Sequence, residues 1–211
     1  MFYQKSGDRV MNTDIYQRIR KIFKRNNGYA YTRDITQAGI HNVYLNALLY
    51  EGEIERIKRG LYRWVDMGES NNSTLVDVTL AIPKGVICLQ SALSYYNLTT
   101  YNPWEVSVAI HRKHRVTLPE YPPVRLYYFT SKVFAAGIEE VQLGRHRIYI
   151  YSKEKTVCDC IRYRRQLGKD IIKEMMVEYL KSSNRNLELL MKYAEICGVT
   201  SEVENYIEVL L

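Results

Sequence analysis

Asn42 and Asn46 each carry a carboxamide that matches the N6 donor and N7 acceptor of adenine in a duplex major groove. Their spacing of four places both on one side of a helix. Gln37, His41 and Tyr44 stand close by and could extend the same base-reading surface, although Tyr44 has the alternative of covering the edge of a core. Arg33, Lys58, Arg59 and Arg63 flank this group and could hold backbone phosphates, which position a protein on DNA without reading its sequence. The chemistry these residues suit is recognition rather than bond breaking.

Other constellations are weaker. Lys153, Lys155, Thr156 and Asp159 at a strand-to-helix junction suggest phosphate chemistry, yet no Gly-rich phosphate loop, HExxH or GxSxG accompanies them. A simpler role for Thr156 and Asp159 is to satisfy amides in the first helical turn, where a carboxylate also meets the helix dipole. The run His111-Arg112-Lys113-His114-Arg115 is either the solvated tip of a hairpin, the simpler reading, or a second contact with nucleic acid. Its two histidines have no carboxylate or Cys nearby in sequence to complete a metal site. Cys88, Cys158, Cys160 and Cys197 lack CxxC spacing and a neighbouring His pair, so they read as small buried hydrophobes in a reducing compartment. No catalytic residue, metal or cofactor is expected.

The elements that must position the recognition residues run from 12 to 66. A helix from Asn12 or Thr13 to about Asn26 has Ile15, Ile19, Ile22 and Phe23 on one face. Its other side carries Arg18, Arg20, Lys21, Lys24 and Arg25, either a solvated face or a phosphate-contacting one. Asn27-Gly28 stops it, and Tyr29 to Tyr31 suits a short strand. Thr32 is the candidate cap of a second helix, and Gly39 the turn after it. A third helix opens at His41-Asn42 and buries Leu45, Leu48 and Leu49, and Gly52 ends it. Ile54 and Ile57 anchor one strand and Leu61 to Trp64 form its return, with Lys58-Arg59-Gly60 as a cationic tip. This order predicts a winged helix-turn-helix, whose second helix reads bases while the wing grips the backbone. Use of such a domain for RNA or for protein contacts alone is the alternative.

Residues 1–11 read as a loose arm and 67–73 as a linker. The second domain, 74–211, is expected to be α+β with a helical end. Helices are predicted over 74–82, 91–98 and 153–165, the last capped by Ser152 and burying Val157, Cys160 and Ile161. Strands are predicted over 86–88, 104–110, 124–129, 138–143 and 147–151. Three amphipathic helices follow near 169–182, 185–197 and 201–210, with Ile172, Met175, Met176, Tyr179, Leu187, Leu190, Met191 and Ile207 inward.

The formal charge is +7, and residues 1–66 carry 12 Lys+Arg against 7 Asp+Glu, or +5 of it. That excess favours an anionic partner for the first domain. No apolar run reaches the roughly 18 residues that cross a bilayer, and the first five residues do not form a secretion signal. A soluble cytoplasmic protein without membrane contact is expected.

The wing Arg59-Gly60-Leu61-Tyr62-Arg63 within EGEIERIKRGLYRW, the Ser91-Ala92-Leu93 segment and the helix start Ser152-Lys153-Glu154-Lys155-Thr156-Val157-Cys158-Asp159 occur in that order over residues 13–165. In this the chain resembles the AbiEi-type antitoxins, transcriptional regulators of type IV toxin-antitoxin and abortive-infection (phage-defence) systems. The resemblance implies a DNA-binding N-terminal domain that represses its own operon at inverted repeats in double-stranded DNA. It also implies a C-terminal domain that counteracts a nucleotidyltransferase-type toxin without a stable complex. Competing readings are a nucleic-acid-processing enzyme delivered by its winged helix, or a protein-interaction module that does not bind DNA.

Overall fold

The computed structural model describes residues 12–67 and 73–210. The expected arm at 1–11 and most of the expected linker lie outside the described residues. The chain divides into two compact units, residues 1–70 and 71–211.

In the first unit α1 (Thr13–Arg25) starts at Asn12, whose side chain accepts the Asp14 N–H at 3.0 Å. Its apolar face buries Ile19 and Phe23 completely. The chain continues through β1 (Tyr29–Tyr31), α2 (Thr32–Gln37), α3 (Val43–Tyr50), β2 (Ile54–Lys58) and β3 (Leu61–Trp64) to a 3-10 turn at Val65–Met67. The sheet order is β1-β3-β2, with both pairings antiparallel. Trp64 holds helix and sheet together, its ring edge-on to Tyr16 at 5.7 Å and Phe23 at 5.2 Å. Two helices joined by a tight turn and followed by a hairpin make this unit a winged helix-turn-helix.

The cap of α2 differs from expectation. Tyr31 still pairs with Leu61 in the sheet, so the helix springs directly from the strand. Thr32 is therefore already helical, and its N–H donates to the Gly60 carbonyl at 3.0 Å. The capping group is the Asp34 carboxylate, which accepts the Tyr31 N–H at 2.7 Å.

The second unit holds α4 (Ser73–Ala81), β4 (Val86–Ile87), α5 (Leu89–Tyr95), β5 (Val106–His111), β6 (Val124–Phe129), α6 (Ser131–Ala135), β7 (Ile138–Leu143) and β8 (His146–Tyr151). Then come α7 (Lys153–Arg162), α8 (Arg164–Leu167), α9 (Lys169–Lys181), α10 (Leu187–Cys197) and α11 (Thr200–Leu210). Five strands form one mixed sheet in the order β6-β5-β4-β8-β7. The pairs β5/β6 and β4/β8 are parallel, and β4/β5 and β7/β8 are antiparallel. The protein is thus α+β, with its helical end formed by α7 to α11.

Two expectations fail on the sheet. The strand predicted from Trp104 starts at Val106, and Val106 to Ile110 are all buried because β5 is an interior strand packed by α4, α5 and α6. The run His111 to Arg115 is not a hairpin tip, because β5 and β6 are parallel and the basic residues begin a crossover between them.

The helix α7 is the spine of this unit. Packed by α5, α9, α10 and α11, it buries every residue from Glu154 to Ile161 rather than a single stripe. Ser152 caps it as expected, accepting the Lys155 N–H at 3.3 Å.

Candidate nucleic-acid interface

The turn between α2 and α3 is tied down from three sides. Gly39 adopts φ +74°, which suits a residue without a Cβ. Its N–H donates to Thr36, that of Ile40 donates to Ile35, and the Arg18 guanidinium donates to the Ala38 carbonyl at 2.9 Å. One of the five α1 cations is thus structural, and a second, Arg20, lies 6.0 Å over Trp64. Lys21, Lys24 and Arg25 are exposed.

On α3, Leu45 and Leu48 are buried and Leu49 is half-buried. At 100° per residue, positions 42, 43, 46 and 50 fall within an arc of about 100° on the opposite side. Asn42 and Asn46 are exposed there, together with Val43 at 43% and Tyr50 at 94% exposure. Val43 and Tyr50 were not singled out from the sequence; extending the Asn42/Asn46 spacing by one more turn reaches Tyr50. Apolar and aromatic groups on such a face suit the thymine methyl group and the sugar wall. Tyr44 faces the other way, half-buried against the core of the unit. His41 is exposed, and its Nδ1 accepts the Val43 N–H at 3.2 Å, so the ring finishes the helix start that Asn42 leaves uncapped. Gln37 is exposed at the end of α2.

The wing turns at Arg59-Gly60, with Lys58 paired to Leu61 and Gly60 at φ +83°. Ile54 and Ile57 root it in the core at 2% exposure each. Arg59 is exposed and makes no ion pair among the described residues. Lys58 is half-buried, and burial lowers its pKa below that of an ordinary lysine. Arg33 is 72% exposed, with its guanidinium 4.6 Å over Tyr31 and 3.8 Å from Asp34. Arg63 differs from the other three. Its side chain is only 17% exposed and is held by Glu55, across the hairpin, at 2.6 Å.

The constellation in the second unit is not an accessible site. Both oxygens of Asp159 accept from the Lys155 ammonium, at 2.7 and 2.6 Å, and both side chains have 0% exposure. Asp159 therefore does not satisfy amides of the first turn. Thr156 does not either, because its hydroxyl donates to the Tyr151 carbonyl at 3.2 Å. Lys153 is held by Ser182 at 3.3 Å and Asn184 at 2.6 Å. A phosphate arriving from solvent cannot reach the Lys155/Asp159 pair.

The four cysteines are free and buried, as expected of small hydrophobes. Burial pushes the Cys197 thiol up to about 12, so it is protonated and donates to Asp159 at 3.4 Å. In the basic crossover His111 Nε2 lies 3.0 Å from the Ser131 hydroxyl, and its ring is 5.4 Å from that of His114. No group of His, Cys, Asp and Glu among the described residues is arranged to hold a metal ion. Nor is any described helix long and apolar enough to cross a membrane.

No curated protein matches the chain. Three chains among solved structures do. One is the crystal structure of the RV2827C protein from Mycobacterium tuberculosis, 12% identical, with a TM-score of 0.55 over 95% of this chain and 83% of that one. At that identity the likeness concerns the fold alone. The segment from α1 to the wing is more informative: residues 17–65 match the family described as transcriptional regulator, AbiEi antitoxin.

Proposed function

We propose that this chain is a cytoplasmic DNA-binding repressor that autoregulates a toxin-antitoxin (abortive-infection) operon and counteracts a nucleotidyltransferase-type toxin. The observation that carries the reading is the outward face of α3, with Asn42, Val43, Asn46 and Tyr50, beside a wing whose exposed Arg59 makes no ion pair among the described residues. In the proposed complex α3 lies in the major groove of operator DNA with inverted repeats, where Asn42 and Asn46 read bases. Gln37 and His41 stand at the edge of that face, whereas Tyr44 supports it from the core side. Arg33, Lys58 and Arg59 hold phosphates, and Arg63 joins them once it exchanges Glu55 for a phosphate. Repression is steric, since a protein seated on the promoter blocks polymerase.

Antitoxin activity belongs to residues 74–211 in this reading. A catalytic alternative is not favoured, because the Lys155/Asp159 pair is sealed inside the core. The test is a titration of the full-length protein against DNA from upstream of its own gene, with co-expression of the adjacent gene product. Salt-sensitive, sequence-preferring binding and rescue of growth are expected. Equal affinity for promoter and scrambled duplex, or continued killing at good expression, overturns the corresponding half.

A further inference from the structure

The C-terminal unit has a cleft of about 620 Å³ formed by α8, α9 and α11, and its lining is chemically two-sided. Ile172, Tyr206 and Leu210 supply an apolar floor, with Ile172 fully buried and the other two packed against the core. Arg165, Lys169 and Lys173 stand around the mouth. None of these three makes an ion pair or side-chain hydrogen bond among the described residues, and all are exposed. The fourth cation, Arg164, is already engaged by Glu202 at 2.8 Å and by the Ile161 carbonyl at 3.0 Å. Asp170, in the first turn of α9, is the one acid among the lining residues.

Three unpaired like charges around an apolar depression repel one another, and a bound anion relieves that repulsion. A bare inorganic anion leaves the floor wet. A nucleic-acid backbone, which follows open charged tracks, does not fill it either. The volume falls within the range of about 300–1,000 Å³ typical of small-molecule sites, which are mostly apolar with a few placed polar groups. We propose that this cleft binds an amphiphilic organic anion, an alkyl or aryl body with one carboxylate or phosphate head. The body rests on Ile172, Tyr206 and Leu210, and the head meets Arg165, Lys169 and Lys173. The site is independent of the DNA-binding reading.

Calorimetric titration of the full-length protein tests it with four probes: octanoate, octyl phosphate, neutral 1-octanol and inorganic phosphate. At least one octyl anion should bind 1:1 and about tenfold or more tighter than octanol or inorganic phosphate, and which of the two does so identifies the head group. The double variant Lys169→Glu/Lys173→Glu should weaken that binding by about tenfold or more, since it reverses two charges at the mouth. Val209→Asp, at a lining position that is 81% exposed, should weaken it too while the circular dichroism spectrum stays unchanged. Absence of saturable binding by either octyl anion overturns the proposal. So does equal affinity for inorganic phosphate, equal binding by the variants, or displacement of the octyl anion by duplex DNA.

Discussion

Replacing Asp159 with Ala should be among the most damaging single changes in the C-terminal unit. It leaves the Lys155 ammonium fully buried, 4.2 Å from the Tyr151 ring and 5.1 Å from the Phe129 ring, contacts that the native protein already has. Removing one partner of a buried ion pair costs about 3–5 kcal/mol, because the other charge stays behind without compensation. For a unit of this size that corresponds to a fall in Tm of roughly 6–20 °C. Calorimetry of the full-length protein suits the measurement, since two units need not unfold in one transition.

The origin of the loss can be separated from a simple cavity. In the native protein burial pushes the Asp159 pKa up by more than Lys155 pulls it down, which marks the pair as costly to desolvate. A carboxyl raised in this way contributes stability that is present below its ordinary value of 3.8 and is lost as pH rises through its folded value. In Asp159→Ala the buried ammonium keeps its desolvation cost without a counter-charge. Lys155→Met combined with Asp159→Leu should regain most or all of the loss, because well-packed apolar replacements of buried pairs are often neutral or stabilising by about 1–4 kcal/mol. A deficit that persists in the double variant would refute the unpaired-charge argument and leave lost packing as the cause.

On DNA, Arg59→Ala should weaken operator and scrambled duplex alike and reduce the log-log salt slope by about one. Asn42→Ala or Asn46→Ala should instead cost about 1–3 kcal/mol at the operator and little elsewhere. Anisotropy titrations at several salt concentrations decide this, and relaxed sequence preference in Arg59→Ala alone would mean that the wing reads the bases. Glu55→Gln should loosen the hold on Arg63 and raise affinity for any duplex, with a stability change within about 1 kcal/mol because the Glu55 side chain is 53% exposed. Unchanged affinity would show that Arg63 does not contribute a phosphate contact. The Glu174 carboxylate accepts from the Thr100 N–H at 2.7 Å and from the Thr99 and Thr100 hydroxyls at 2.8 Å, which hold its pKa below the ordinary 4.5. Its contribution is complete above that value and is lost as pH falls through the folded pKa. Melting curves between pH 3 and 6 should therefore be flatter for Glu174→Gln, and an unaltered acid slope would sink this assignment.

Local signals made the first unit legible. Breakers at Asn27-Gly28, Gly39, Gly52 and Gly60 punctuate it, and the apolar spacing within each short segment names its buried face without reference to distant residues. The same periodicity placed Asn42 and Asn46 on the solvent side of α3. What it did not decide was that Arg63 is held across the hairpin, because the Arg63–Glu55 bond depends on the register of two strands. In the second unit the strands were recognisable one by one, but their partners were not. Nothing within His111 to Arg115 distinguishes a hairpin from a parallel crossover, since the difference lies in where β6 docks. The deepest change of meaning came at α7. Lys155 and Asp159, four apart, have the spacing of an ordinary surface ion pair, and only the packing of α5, α9, α10 and α11 around that helix makes them an interior one. Burial is a property of the whole assembly of elements, and tertiary structure therefore determined which charges meet solvent.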